Sequence, residues 1–314
     1  MRTTGMIPSL VLALLLLPGA VALAPNNAIT VVKSSDLAEF DQASRIISDR
    51  LSDRQESVTL KQLNSDSPEQ EKRFWQEISE TNPHLVVTIG TRATRSALQY
   101  CEKLPLVFTM VLDHLEKSHK TGGDQDFGGV TLSIPVDDQF EYLRKALPDA
   151  RRLGYIYSSG SEETYEQARR AAEKYGFRLV VEKVDTERDI LDALRRMLPE
   201  IDAFWMPPDQ LTWQYIVFRF VVIECFNNGV PVISVYRSRA EAGIPIALGV
   251  DYEDIGRQTA DLVVRRLEKG KFTRPVIVHP RKLVIYINNG VLSNLNLKMP
   301  DDLLDQTVSV KSGN

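Results

Sequence analysis

Histidine and cysteine are scarce in this chain, and that scarcity removes most hydrolytic and metal chemistry. Four histidines, His84, His114, His119 and His279, are scattered through 314 residues, and none falls in a recognisable catalytic motif. There is no G-x-S-x-G elbow, no P-loop and no G-x-G-x-x-G fingerprint. The two cysteines, Cys101 and Cys225, lie far apart with neither C-x-x-C nor metal-ligand spacing, and Cys225 reads as a small buried hydrophobe. The spacing of His114 and His119 matches no metal site. No metal and no cofactor are expected. An excess of one charge is also missing: 38 basic against 42 acidic residues leave −4, so neither nucleic acid nor an anionic membrane surface is an indicated partner. Length and a 43% hydrophobic, 25% charged composition fit two ordinary globular domains.

Only one apolar run approaches membrane-spanning length. Arg2 precedes Leu10 to Leu17, then Pro18-Gly19 and the small-residue pattern Ala20-Val21-Ala22. Residues 1–22 therefore read as a signal peptide cleaved after Ala22, with an uncleaved anchor over Ile7 to Ala24 as the alternative. Export to the periplasm follows.

The organising stretch is His84-Leu85-Val86-Val87-Thr88-Ile89-Gly90-Thr91-Arg92-Ala93-Thr94. An apolar, β-branched run meets Gly90 and changes to helical spacing, which predicts a buried parallel strand, a tight turn and a helix N-terminus. Such a turn offers unpaired N–H groups and the positive end of a helix dipole to an anion. Arg92 opposes that dipole. Either an anionic ligand group relieves it, or its side chain reaches solvent or pairs with Asp36.

Strands and helices alternate along the whole chain. Strands are predicted at Ile29–Val32, Val58–Leu63, Leu104–Val111, Gly129–Leu132, Leu153–Tyr157, Phe177–Val184, Ile201–Met206, Val230–Tyr236, Ile246–Val250, Val276–Val278 and Leu283–Ile287. Helix signals fall between them, among them the Ser67-Pro68-Glu69-Gln70 start and a capping box at Thr186-Glu187-Arg188-Asp189. The run Trp213 to Phe226, apolar on nearly all sides, predicts a helix buried between layers. Residues 113–129, polar and glycine-rich, read as a loop or lobe junction. Two successive α/β units of this kind can close on a small molecule bound at their strand ends.

Several runs together carry a family likeness. They are Thr88-Ile89-Gly90-Thr91, Leu104-Pro105-Leu106-Val107-Phe108, Gly129-Val130-Thr131-Leu132, Leu147-Pro148, Pro207-Pro208-Asp209-Gln210, Ile287-Asn288 and Leu297-Lys298-Met299-Pro300. In this order the chain resembles the ABC-transporter substrate-binding proteins of the type I periplasmic-binding fold, including tryptophan- and tyrosine-binding members. The resemblance spans Ile29 to Val310. It implies an α/β, two-lobed architecture, each lobe a doubly wound, mainly parallel sheet flanked by helices. Residues 25–132 with 253–279 would form lobe 1, and 133–252 with 280–314 lobe 2.

It further implies an amino-acid-like ligand in the cleft. Gly90 and Thr91 would hold its carboxylate, while Ser158, Ser159, Ser161 and Asp209 would face it from lobe 2. Asp209, with Asp251, would meet an ammonium group. Departures from the family pattern cluster at the same place: Gln210 where Asn is usual, Arg92 where Pro is usual, and Ser34-Ser35-Asp36 where a His-Pro pair is common. Ser35 and Gln210 are therefore candidates for contact. Tyr236 and Tyr252, at predicted strand ends, could stack on a flat ligand. The resulting reading is a monomeric binder, not an enzyme, that captures an amino-acid-like or other carboxylate molecule and delivers it to an inner-membrane ABC permease. A periplasmic sensor feeding a histidine kinase and, more distantly, an exported enzyme are the alternatives.

Overall fold

The computed structural model describes residues 28–65, 67–101, 103–112 and 126–311. The export segment 1–22 and the loop histidines His114 and His119 lie outside the described residues.

The first unit runs β1 (Ala28–Lys33), α1 (Ala38–Ser52), β2 (Ser57–Gln62), α2 (Pro68–Glu80), β3 (Leu85–Ile89), α3 (Thr91–Tyr100), β4 (Leu106–Val111) and β5 (Phe127–Thr131). The second runs α4 (Val136–Ala146), β6 (Arg152–Ser158), α5 (Glu162–Tyr175), β7 (Arg178–Val184), α6 (Glu187–Met197), β8 (Ala203–Met206), α7 (Tyr215–Asn227), β9 (Val232–Val235), α8 (Arg237–Glu241) and β10 (Ile246–Val250). The chain then continues through α9 (Tyr252–Lys269), β11 (Val276–Val278), β12 (Leu283–Asn288), α10 (Asn289–Asn294) and β13 (Thr307–Val310).

Among the described residues two sheets result, one of six strands in the order β11-β5-β4-β3-β1-β2 and one of seven in the order β13-β12-β10-β9-β8-β6-β7. Every pairing is parallel except β10 with β12. The strands β2-β1-β3-β4-β5 and β7-β6-β8-β9-β10 repeat one doubly wound order, in which the winding reverses between the first and third strand of each unit.

Burial on both faces explains why the strands read as near-continuous apolar runs. In β3, Val87 faces Ala43 and Ile47 of α1 and Leu262 of α9, whereas Val86 faces Trp75 of α2 and Ala97 of α3. In the second sheet Tyr155 and Trp205 meet Phe140 of α4, and Ile156 and Phe204 meet Leu194 of α6 and Phe218 of α7.

The chain crosses between the sheets after β5, after β10 and after β11. Helix α9 leaves the second sheet and packs on α1 and β4 of the first. The crossing segments are tied together: Asp251 N donates to Lys282 O, Gln258 Nε2 to His279 O at 2.7 Å, and the His279 ring bonds Ser133 O.

Local signals held. Ser67 Oγ accepts from Gln70 N at the head of α2, and Thr186 and Asp189 form a reciprocal capping box on α6. Strand ends are trimmed where proline interrupts the ladder: β4 starts at Leu106, after Pro105, and β9 at Val232, after Pro231. The expectation for α7 needs correction. Val217, Phe218, Val221 and Cys225 are buried, but Tyr215 and Ile216 are 71% and 79% exposed, and Ile223 and Phe226 are also exposed. The helix is an outer layer. A pattern with no polar face carries no information about which side lacks a covering element.

One ion pair is deeply placed. Arg266 of α9, 4% exposed, donates from Nε and Nη2 to Asp126 Oδ2, whose other oxygen accepts from Phe272 N. Asp126→Ala would strand a buried guanidinium and is expected to cost about 3 to 5 kcal/mol. Arg50→Ala, which breaks the exposed pair with Asp261, is expected to cost under about 1 kcal/mol. Urea unfolding of the two variants checks the contrast; equal losses would contradict it.

Candidate functional site

The winding reversals place two strand ends side by side in each sheet. In the first these are the ends of β1 and β3, carrying Ser34 and Gly90. Gly90 has φ 91°, and a Cβ there would lie 2.7 Å from both Phe40 Cζ and Ser34 Oγ, so the turn admits only glycine. Ser34 Oγ donates to Ile89 O at 2.8 Å and accepts from Ala93 N at 2.9 Å, which clamps β1 to the first turn of α3. The amides of Thr91 and Arg92 stand ahead of it at the head of the helix, where no intrahelical acceptor exists. Thr91 and Ser35 are half-buried beside this turn.

Arg92 is exposed, as one expected course had it, but its partner is not Asp36. Its guanidinium donates to Glu71 Oε1 at 2.9 Å and to the Ser65 carbonyl and hydroxyl. Glu71 also accepts from Ser96 Oγ, which in turn accepts from Trp75 Nε1. Burial alone would raise the Glu71 carboxyl, but the Ser96, Arg92 and Ser65 donors hold it below its ordinary value. Asp36, the expected partner, instead bonds Lys33 and Gln62. The Arg92 charge is therefore neutralised from α2.

In the second sheet the matching strand ends are those of β6 and β8, carrying Ser158 and the turn 207–213. Asp209, 6% exposed, organises both. Its Oδ2 accepts from Ser158 N and Oγ, each at 2.9 Å, and from Ser161 Oγ at 2.8 Å. Its Oδ1 accepts from Leu211 N and Thr212 N. Five donors fill the acceptor capacity of one carboxylate. Burial pushes the Asp209 carboxyl up, and the Ser158, Ser161, Thr212 and Leu211 donors more than reverse it, so it stays ionised well below neutral pH. The ammonium role expected of Asp209 gives way to a structural one: its oxygens are already committed.

Asp251 is committed in the same manner, capping Asp254 N at the head of α9 and pairing with Lys282 at 2.5 Å. Burial works against its ionisation, but Lys282 and the Asp254 amide hold its carboxyl below its ordinary value. Ser159 is exposed and bonds Asp185, and Gln210 is exposed beside Asp209. Tyr252 is half-buried; burial, with the fields of Tyr286 and Glu39, pushes its phenol up to about 12. Glu39 belongs to α1 of the first unit, and its field also reaches Arg237 and Tyr286 of the second. The carboxyl edges of the two sheets are thus neighbours on this side.

An aromatic wall stands next to the Asp209 turn. Trp213 packs edge-on against Tyr236, with centroids 5.7 Å apart, and Tyr236 adopts φ 73°, a strained value for a non-glycine residue. Arg239 lies 4.3 Å from the Trp213 and Phe218 ring centroids. Behind them Tyr155, Tyr157 and Tyr165 stack in a row. Among the described residues, no hydrogen bond or ion pair joins Gly90–Arg92 to Ser158–Ser161 or Asp209–Gln210. A groove of about 560 Å³ lies elsewhere, between α5 and the edge strand β7, lined by Tyr165, Arg169, Phe177, Leu179 and Val181.

Sequence reasoning missed Ser34, Glu71 and Arg239, and set Trp213 down as core. Ser34 was legible only as the residue after β1, since its role depends on β1 and β3 being neighbours. Glu71 bonds Arg92 across 21 residues of chain and had no local signal.

Among known proteins, the model of the family described as ABC transporter substrate binding protein matches residues 53–311. A curated tyrosine-binding protein of Clostridioides difficile (strain R20291) is 22% identical over 224 residues, covering 68% of this chain; the match spans 63% of that relative's length. The ligand-free, open structure of a substrate-binding protein with adhesive properties from Clostridium difficile superposes with TM-score 0.74 at 19% identity, covering 91% of this chain and 99% of that one. The structure of an ABC domain in complex with L-Trp from Streptococcus pneumonia superposes with TM-score 0.59 at 21% identity, covering 91% of this chain and all of that one (100%). The fold is the two-lobed type I periplasmic-binding architecture.

Asp209→Asn exchanges a five-fold acceptor for a group that is itself half donor. It is expected to lose about 2 to 3 kcal/mol at pH 7. Because the folded carboxyl titrates below the unfolded one, that loss should be full above about pH 5 and shrink as pH falls through 4 toward 3. Denaturant unfolding of wild type and variant across pH checks this; a pH-independent difference would contradict it.

Proposed function

Because the chain belongs to the ABC transporter substrate-binding protein family, we propose that it captures an amino acid or a closely related carboxylate between its two lobes and delivers it to an ABC importer. The carrying observation is the duplication of one binding geometry. Each sheet has a winding reversal, each reversal holds a polar turn fixed by hydrogen bonds, and ligands of open α/β sheets bind outside the strand ends at such points. The open amides of Thr91 and Arg92 at the head of α3 suit a carboxylate. The Ser158–Ser161 turn supplies hydroxyls from the opposite side, and Tyr236, Tyr252 and Trp213 supply flat surface. The relative named for tyrosine and the structure bound to L-Trp support an amino acid as cargo.

The lobes would comprise 25–132 with 253–279 and 133–252 with 280–314, hinged at the three crossings. Residues 1–22 would direct export and be removed, leaving a periplasmic monomer that hands its cargo to a permease. No described helix is long and apolar enough to cross a membrane. Asp209, with five donors on its two oxygens, fits binding without chemical change.

A ligand that binds only the folded protein adds about 2.7 kcal/mol of stability at 100 times its dissociation constant. A thermal-shift screen over the amino acids and small carboxylates is therefore expected to raise the melting temperature with at least one of them. Gly90→Ala, which forces a methyl group into Phe40 and Ser34, should abolish that shift while the protein remains folded. No shift with any compound, or an undiminished shift in Gly90→Ala, would overturn the reading.

A further inference from the structure

Arg239 is a cation without a counter-charge. Lys33, Arg92, Arg237, Arg266, Arg281 and Lys282 each have a carboxylate partner. Among the described residues, Arg239 has neither a carboxylate nor a hydrogen-bond acceptor. Its contacts are the faces of Trp213 and Phe218, 4.3 Å from the guanidinium carbon. Burial alone pulls its pKa down, with no acidic side chain acting on it. Stacking engages the flat faces of a guanidinium and leaves its N–H edge, which matches a carboxylate in bidentate geometry.

Two further polar atoms, on consecutive residues of the Asp209 turn, are buried and unsatisfied among the described residues. They are Trp213 Nε1 and Thr212 Oγ1, the latter on a residue 1% exposed. Buried polar groups without partners are uncommon in folded proteins and call for an explanation. All three groups stand beside the Asp209 turn: Trp213 N bonds Asp209 O, Thr212 N bonds Asp209 Oδ1, and Arg239 N bonds the carbonyl of Tyr236, which packs on Trp213.

We propose that Arg239, held between Trp213 and Phe218, binds a second carboxylate of the cleft ligand, so that the protein selects acidic amino acids or related dicarboxylates over their neutral counterparts. This rests on the reading of the cleft as an amino-acid site. The first carboxylate goes to the head of α3, and the side-chain carboxylate goes to Arg239 and the Trp213 N–H. Arg92 cannot serve this second purpose, because Glu71 already neutralises it.

Calorimetric titration with matched probes tests this: L-glutamate against L-glutamine, and 4-carboxy-L-phenylalanine against L-phenylalanine. Wild-type protein is expected to prefer the acidic member of at least one pair by about tenfold or more, as a charge-assisted bidentate contact requires. Arg239→Gln should erase that preference, whereas Arg239→Lys should retain part of it. Equal binding of both members by wild type, or a preference that survives in Arg239→Gln, overturns the Arg239 assignment alone. Should wild type bind no member of either pair, the acidic-ligand assignment falls, and the thermal-shift screen decides separately whether the amino-acid site falls with it. The wild-type comparison needs no variant, so a misfolded Arg239→Gln protein does not remove the test.

Discussion

A single carboxylate fixes one wall of the cleft. Asp209 gathers the backbone and hydroxyl of Ser158, the hydroxyl of Ser161 and the amides of Leu211 and Thr212 around its two oxygens. Those donors come from the ends of β6 and β8, which are neighbours in the sheet but about fifty residues apart in sequence. Without that anion, buried N–H and O–H groups would converge with nothing to accept them, a costlier fault than the loss of one ordinary hydrogen bond. The turns therefore keep one shape, and Trp213 and Tyr236 stand where that shape puts them. Ser34 performs the corresponding task in the other sheet with a hydroxyl, because there it has only one amide and one carbonyl to join.

The two walls belong to sheets of the same winding order, and the chain passes between them at three places bonded to one another. On the proposed reading, such a joint would let the lobes change their angle while each wall keeps its shape. Binding then needs little ordering of side chains, which lowers its entropic cost. On the proposed reading, the selectivity of the cleft would reside in what the walls leave unsatisfied: amides at the head of α3 on one side, Arg239 and the Trp213 N–H on the other.

Much of the architecture was legible in the sequence. Strands buried on both faces gave apolar runs of the right length, caps such as Ser67 and Thr186 marked helix starts, and Gly90 marked the turn. The site was legible as positions, since strand ends can be counted, but its chemistry was not. Asp209 and Asp251 looked like free carboxylates because their partners lie on other elements. Arg92 looked like a ligand cation because Glu71, which neutralises it, sits on a helix the chain passes much earlier. Trp213 looked like core because its neighbours are apolar, and Arg239 looked unremarkable because stacking between two rings leaves no trace in residue spacing. The exposed side of α7 was hidden for a related reason: hydrophobicity reports what a residue tolerates, not whether another layer arrives to cover it.

The claim that both walls grip one ligand is tested most directly by hydrogen exchange. Amides of residues 90–94 and of residues 158–161 should both slow when a ligand that raises the melting temperature is added. Protection confined to one wall, or appearing only at the groove between α5 and β7, would contradict the account.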